Sequence, residues 1–168
     1  MEINYTENLQ EAFKYIQKQG AFLTVKDKNG KVNTMTIGWA NIGFEWGKPV
    51  FTVLVRKQRY THELIENAQD FTVCIPLDED MKEALKFCGT KSGRDFDKFE
   101  ECNLKVENGK KVESPVIGNC GLTYECKIAY KHEMSSKFLR KDIKDKWYKA
   151  EDYHVIYYGE IVDCYMNK

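Results

Sequence analysis

Proline is scarce in this chain, three in 168 residues, and so are the features that most often announce an activity. No apolar run approaches the length of a membrane-spanning helix. The start, Met1-Glu2-Ile3-Asn4-Tyr5, is neither basic nor followed by an apolar stretch, so we expect no export signal and a cytoplasmic protein. Charge of one sign is also lacking: 26 Lys+Arg balance 26 Asp+Glu, leaving no net field for nucleic acid or an anionic membrane. There is no G-x-x-x-x-G-K-[ST], no G-x-G-x-x-G and no G-x-S-x-G, which removes the Walker loop, the dinucleotide fingerprint and the nucleophile elbow. The six cysteines include no C-x-x-C pair and no zinc spacing, and read as reduced thiols filling a core. His62-Glu63-Leu64-Ile65-Glu66 imitates a zinc-protease helix but puts Glu66 where the second His belongs, so no metal is expected.

What is present is mostly strand. Residues 6–19 predict an amphipathic helix with Leu9, Ala12, Phe13 and Ile16 on one face and Gly20 as its stop. Strands follow at 21–26, 31–37, 39–45, 49–55 and 71–76, the first two joined at Asn29-Gly30. A helix is expected over 78–87, ended by Gly89, and a small hairpin over 104–112 around Asn108-Gly109. Long alternating strands close the chain at 121–131 and 153–165, while the charged stretch 133–150 between them reads as a mobile loop or lid. With no repeat or linker, residues 1–168 read as one domain, a mainly β (α+β) antiparallel sheet with flanking helices; hairpin-length connections favour a barrel, and periodicity alone leaves a sandwich open.

Arg56-Lys57-Gln58-Arg59-Tyr60-Thr61 is the most informative segment. It follows the apolar run Pro49-Val50-Phe51-Thr52-Val53-Leu54-Val55 and leads into a short helix for which Thr61 is a good N-cap. Two guanidinium groups, a phenol, a hydroxyl and free helix N–H groups converge there, a donor set that suits a phosphate monoester. A solvated basic loop reads equally well from the same residues. Asn33-Thr34-Met35-Thr36-Ile37-Gly38-Trp39 is either a strand edge offered to a planar heterocycle or a strand with a polar outer face. His154 begins an apolar strand, where an imidazole is either structurally satisfied or functional.

Taken in order, Asn33-Thr34-Met35-Thr36…Trp39, the Pro49 strand with Arg56-x-x-Arg59-Tyr60-Thr61, Gly89-x-x-Ser92-Gly93-Arg94-x-x-Asp97-Lys98-Phe99, and His154-x-x-x-x-Gly159-Glu160 resemble the flavin reductase-like family, which includes flavoredoxins and FMN-binding split-barrel proteins. The resemblance runs over about residues 21–163. It implies a six-stranded antiparallel Greek-key split barrel and a homodimer with one FMN per subunit near the interface. It further implies that Arg59, Tyr60 and Thr61 hold the FMN phosphate with Arg56 and Val55 beside them, and that the Ser92-Gly93-Arg94 turn closes on the phosphate or ribityl end. Asn33, Thr34, Met35 and Thr36 would meet the ring's polar edge, Trp39 would wall the ring, and His154 would face its reactive side. Arg56 departs from the proline or asparagine often found there in relatives, and the 133–150 stretch is longer and more charged than usual. The implied activity is an oxidoreductase passing electrons from NAD(P)H through FMN to a flavin or another small acceptor. A flavoprotein electron carrier that takes no electrons from nicotinamide is the alternative, and a relative holding haem or a pyridoxal phosphate ester is a third reading.

Overall fold

The β-branched and aromatic runs all become strands, and their pairing builds one large sheet. The computed structural model describes residues 3–167. Helix α1 (Leu9–Gln19) lays Ala12 and Ile16 on the core and stops at Gly20, whose φ of +91° is a left-handed value that glycine adopts readily. Strands β1 (Ala21–Lys26) and β2 (Val32–Ile37) form a hairpin whose turn is tied by the Asp27 carboxylate, which accepts from Asn29 N–H at 2.9 Å and Lys31 N–H at 2.8 Å. A second hairpin is β3 (Ala40–Glu45) with β4 (Lys48–Arg56). Helix α2 (Tyr60–Ile65), β5 (Asp70–Ile75), α3 (Lys82–Thr90) and α4 (Lys98–Glu101) follow. The chain then runs through β6 (Val106–Glu107), β7 (Val116–Ile117), β8 (Leu122–Glu133), α5 (Lys141–Trp147) and β9 (His154–Met166). No helix among the described residues is long and apolar enough to cross a membrane.

Seven antiparallel strands stand in the order β2-β1-β5-β8-β9-β4-β3, and β6 pairs with β7 beside them. The count differs from the expected six, but the mainly β antiparallel architecture with flanking helices is as expected. The two edge strands, β2 and β3, are consecutive in the chain and separated only by Gly38 and Trp39. Six interstrand spacings of about 4.8 Å would put the edges of a flat sheet about 29 Å apart. Two linking residues reach at most about 11 Å. The sheet must therefore curl until its edges meet, and two register shifts between β8 and β9 help it bend.

Alternation then sorts side chains to two faces. Leu23, Phe51, Val53, Phe71, Val73, Tyr124 and Tyr157 fill the interior, whereas Phe22 and Cys74 point the other way. There they meet Leu85 and Cys88 of α3, Ile117 and Cys120 in a second core. The six cysteines are free, four of them buried.

Four local expectations are corrected. Residues 104–112 do not close a hairpin at Asn108-Gly109; β6 pairs instead with the more distant β7. The buried Glu125 carboxylate takes the N–H groups of Lys110 and Lys111, and Asp70 takes those of Glu113 and Ser114, so the intervening amides are unavailable for a ladder. Gly89 lies within α3, where an added Cβ would stand 3.3 Å from Thr36 Cβ, so this glycine serves close packing. Thr61 lies within α2, whose N-cap is the extended Arg59, because its hydroxyl accepts from Asn33 Nδ2 at 2.9 Å. The 133–150 stretch is not loop throughout: it holds the end of β8, a 3-10 turn at Ser136–Phe138 and α5, with Tyr148 only 2% exposed.

Gly159 tests the closed interior. A Cβ built there would lie 2.5 Å from Phe71 Cζ and 2.7 Å from Cys126 Cβ. Gly159→Ala is expected to cost about 1–3 kcal/mol by overpacking, read as a lower urea midpoint at unchanged slope.

Candidate functional site

Where the sheet edges meet, a cleft of about 460 Å³ opens along β2, the Gly38-Trp39 link and the end of β4. The Thr34 carbonyl accepts from Lys98 outside the sheet, so the even-numbered residues of β2 aim their backbone groups away from β1. Thr36 is the member of that set that lines the cleft, and its own hydroxyl is engaged, donating to the Leu85 carbonyl at 2.5 Å. The cleft therefore meets an unpaired strand edge beside Gly38, a geometry suited to the polar rim of a flat ring.

Aromatic groups form the opposite side. Trp39 stands 5.0 Å from Trp147 at 84° and 5.3 Å from His154. His154 is 7% exposed and shares a 2.7 Å hydrogen bond between Nδ1 and the Tyr148 hydroxyl. Burial, with the Arg56 and Arg59 charges adding to it, pushes the imidazole pKa down to about 4. The ring is thus neutral near pH 7; with the phenol as donor, Nδ1 accepts and Nε2 carries the proton.

A second hollow of about 280 Å³ adjoins the first, sharing Met35, Gln58 and Arg59 with it. Arg59, Lys91, Arg94 and Lys98 all line it. Its neighbouring carboxylate, Glu63, is already bonded to Arg94, whose guanidinium also lies 5.2 Å from the Tyr60 ring. Arg59 donates to the Gly89 carbonyl at 2.6 Å, and its pKa is lowered by burial and by Arg56 nearby. Gly93 is required by shape: a Cβ there would overlap Asn33 Oδ1 and sit 2.8 Å from Tyr60 Cδ1. The hollow's forked donors, hydroxyls and close-approaching turn are of the kind that suits an anion.

The expected site residues separate into groups. Asn33, Met35, Arg59, Tyr60, Thr61, Ser92 and Gly93 line the anion hollow, and Met35, Thr36, Trp39, Arg56, Arg59 and His154 line the cleft. Thr34 lines neither; its hydroxyl is taken up with Thr24 at 3.0 Å and the Leu23 carbonyl at 3.2 Å. Val55 is likewise absent from both and fully buried in the core, because alternation along β4 turns Leu54 and Arg56 to the cleft. Arg56 is a strut as well as a wall. It donates to the Asp152 carbonyl at 2.5 Å and the Trp147 carbonyl at 3.0 Å, and stacks 5.0 Å from Tyr148.

Sequence reasoning missed Leu54, Gln58, Lys91, Lys98 and Trp147 as site residues, whereas Arg94, expected in the turn with Ser92 and Gly93, does line the hollow. Leu54 follows from strand alternation once the core face is known. Lys98 stood in the quoted motif without a role, and nothing local marked Trp147.

Comparison with known proteins accords with this geometry. An uncharacterised protein of Archaeoglobus fulgidus is 34% identical over 98 residues, 58% of this chain and 54% of its own, so the match spans about half of that relative. The flavoredoxin of Methanosarcina acetivorans is 26% identical, with a TM-score of 0.69 covering 88% of this chain and 67% of its own. The NADH:FAD oxidoreductase of Streptomyces globisporus, at 16% identity and a TM-score of 0.67 over 99% of this chain and 87% of its own, shares the fold. The family model of the flavin reductase like domain matches residues 14–168, and the chain belongs to that family.

Proposed function

We propose that this protein binds FMN and works as an oxidoreductase, passing electrons from NAD(P)H to a second flavin or another small acceptor. The observation that carries the reading is the continuity of a four-cation hollow with a flat cleft, which matches a molecule with a phosphate at one end and a planar ring at the other. Bound FMN supplies the hydride and electron transfer at its ring. The chain supplies the binding and the field. Arg59, Tyr60, Thr61 and the Ser92-Gly93 turn hold the phosphate end, and the Thr36 backbone and Met35 meet the ring. Trp39 and Leu54 wall it, and His154 presents an Nε2–H to the cleft, orienting a donor or holding a proton at that atom. The NADH-dependent relative from Streptomyces supports a nicotinamide donor.

A second reading is a flavoprotein electron carrier that does not use nicotinamide. The observation favouring it is α5, which brings Trp147 to the cleft and buries Tyr148 against His154 on the side a nicotinamide would approach. We place the protein in the cytoplasm, where its thiols stay reduced, and as a homodimer. The exposed aromatic face of Trp46 and Tyr130, 59% and 50% exposed and packed around Tyr158, is the surface that supports pairing.

Mixing the protein with FMN and NADH or NADPH without oxygen is expected to bleach the flavin band. Bleaching by a reduced ferredoxin-type donor alone selects the carrier, and bleaching by no donor removes both readings. Arg59→Ala is expected to weaken FMN binding by about ten- to a hundredfold, roughly 1.5–3 kcal/mol, in a fluorescence titration. Unchanged affinity would put the anion seat elsewhere.

His154 also makes stability depend on pH. Its folded pKa of about 4 lies below the ordinary 6.5, so the unfolded chain takes up the proton first on acidification. The stabilisation is whole above about pH 6.5 and is lost as pH falls toward 4. Urea unfolding at pH 7 and pH 4.5 is expected to show a loss roughly 2–4 kcal/mol larger for the wild type than for His154→Gln.

A further inference from the structure

Lys98 is a buried cation whose protein partners do not account for its charge. The residue is 3% exposed at the first turn of α4, and its Nζ donates to the Thr34 carbonyl at 3.0 Å and the Cys88 carbonyl at 2.8 Å. An ammonium carries three protons, so one N–H remains. Among the described residues no carboxylate pairs with it: Asp97 caps α4 by accepting from the N–H groups of Phe99 and Glu100, and Glu63 is bonded to Arg94. The groups around it are Arg59 from the turn before α2, Cys88 from α3 and Cys102 from the end of α4, with Lys91, Arg94 and Tyr60 lining the same hollow. Both thiols are held protonated by burial, Cys88 with its pKa raised to about 12, so neither offers a counter-charge near neutrality.

A buried charge left to two neutral carbonyls is costly, and the cost is offset when an anion enters the hollow the side chain lines. We propose that the Lys98 ammonium is a proton-dependent selector for phosphate monoesters, donating its remaining N–H to the phosphate of FMN so that FMN is held more tightly than riboflavin, which lacks the phosphate. The inference rests on the flavin reading of the site and deepens it. Burial lowers the Lys98 pKa to about 8, with Arg59 pushing the same way, so the ammonium is lost just above neutrality when the hollow is empty. A bound phosphate dianion favours the charged form, and FMN binding above pH 8 then takes up a proton. Arg59 and Arg94 stay charged throughout and supply a pH-independent part of the attraction.

The test is a fluorescence titration of the full chain with FMN and, separately, riboflavin at pH 7 and pH 9, in the wild type and in Lys98→Met, which keeps the length and apolar volume of the side chain. The FMN Kd of the wild type is expected to rise about tenfold between the two pH values, while that of riboflavin stays level. Lys98→Met is expected to bind FMN weakly at both, with the slope gone and riboflavin unaffected. Should the variant fail to fold, calorimetry of the wild type at pH 8.5 in two buffers of different ionisation enthalpy reads the proton directly: about three-quarters of a proton taken up with FMN, none with riboflavin. A level FMN curve, the same slope in Lys98→Met, or no proton uptake overturns the role of Lys98 while leaving FMN as the ligand. Failure of the wild type to bind either flavin overturns the flavin reading itself, and this inference with it.

Discussion

Two residues, Gly38 and Trp39, carry the chain from one edge of a seven-stranded sheet to the other, and that short bridge shapes the molecule. It forces the sheet to roll up, and it leaves β2 with one side paired to β1 and the other free. Free strand edges are usually blunted or covered. Here a cleft lies along β2 and the bridge, with Thr36 at the free edge among its walls. The end of β4 delivers Arg56 and the start of β9 delivers His154 to the same place, since those residues sit opposite one another in the β4–β9 register.

The anion hollow has a different origin. It is assembled from turns and short helices, with Arg59 before α2, Lys91 and Arg94 after α3, and Lys98 at the head of α4. Each cation is held by neutral carbonyls or a ring more than by acids: Arg59 by Gly89, Lys98 by Thr34 and Cys88, Lys91 near the Phe96 ring. Arg94, bonded to Glu63, is the exception. A balanced chain thus contains one strongly positive recess, because its acids are distributed elsewhere.

The strands were legible because apolar and β-branched residues run or alternate over six or more positions at a time, as continuous buried runs in β1, β4 and β5 and as alternation in β9. That Arg59, Tyr60 and Thr61 share one hollow was legible because they are contiguous. Features settled by distant partners were not. Asn33 converts Thr61 from a cap into an acceptor, and Glu125 and Asp70 draw the amides of residues 110–114 away from a hairpin. Arg56 reads as a phosphate ligand by its neighbours, yet its donors go to carbonyls of residues 147 and 152, about ninety residues along the chain. The same contacts flank a helix, α5, in a stretch whose weak periodicity suggested a loop or lid.

The cleft and the anion hollow have just Met35, Gln58 and Arg59 in common among their walls. Helix α5 and its anchors border the first and are absent from the second. Variation in that late segment can therefore reshape which partner molecule reaches the ring side without disturbing how the tail is gripped. One scaffold can in this way vary the walls of its cleft while the cation-lined hollow beside it is inherited unchanged.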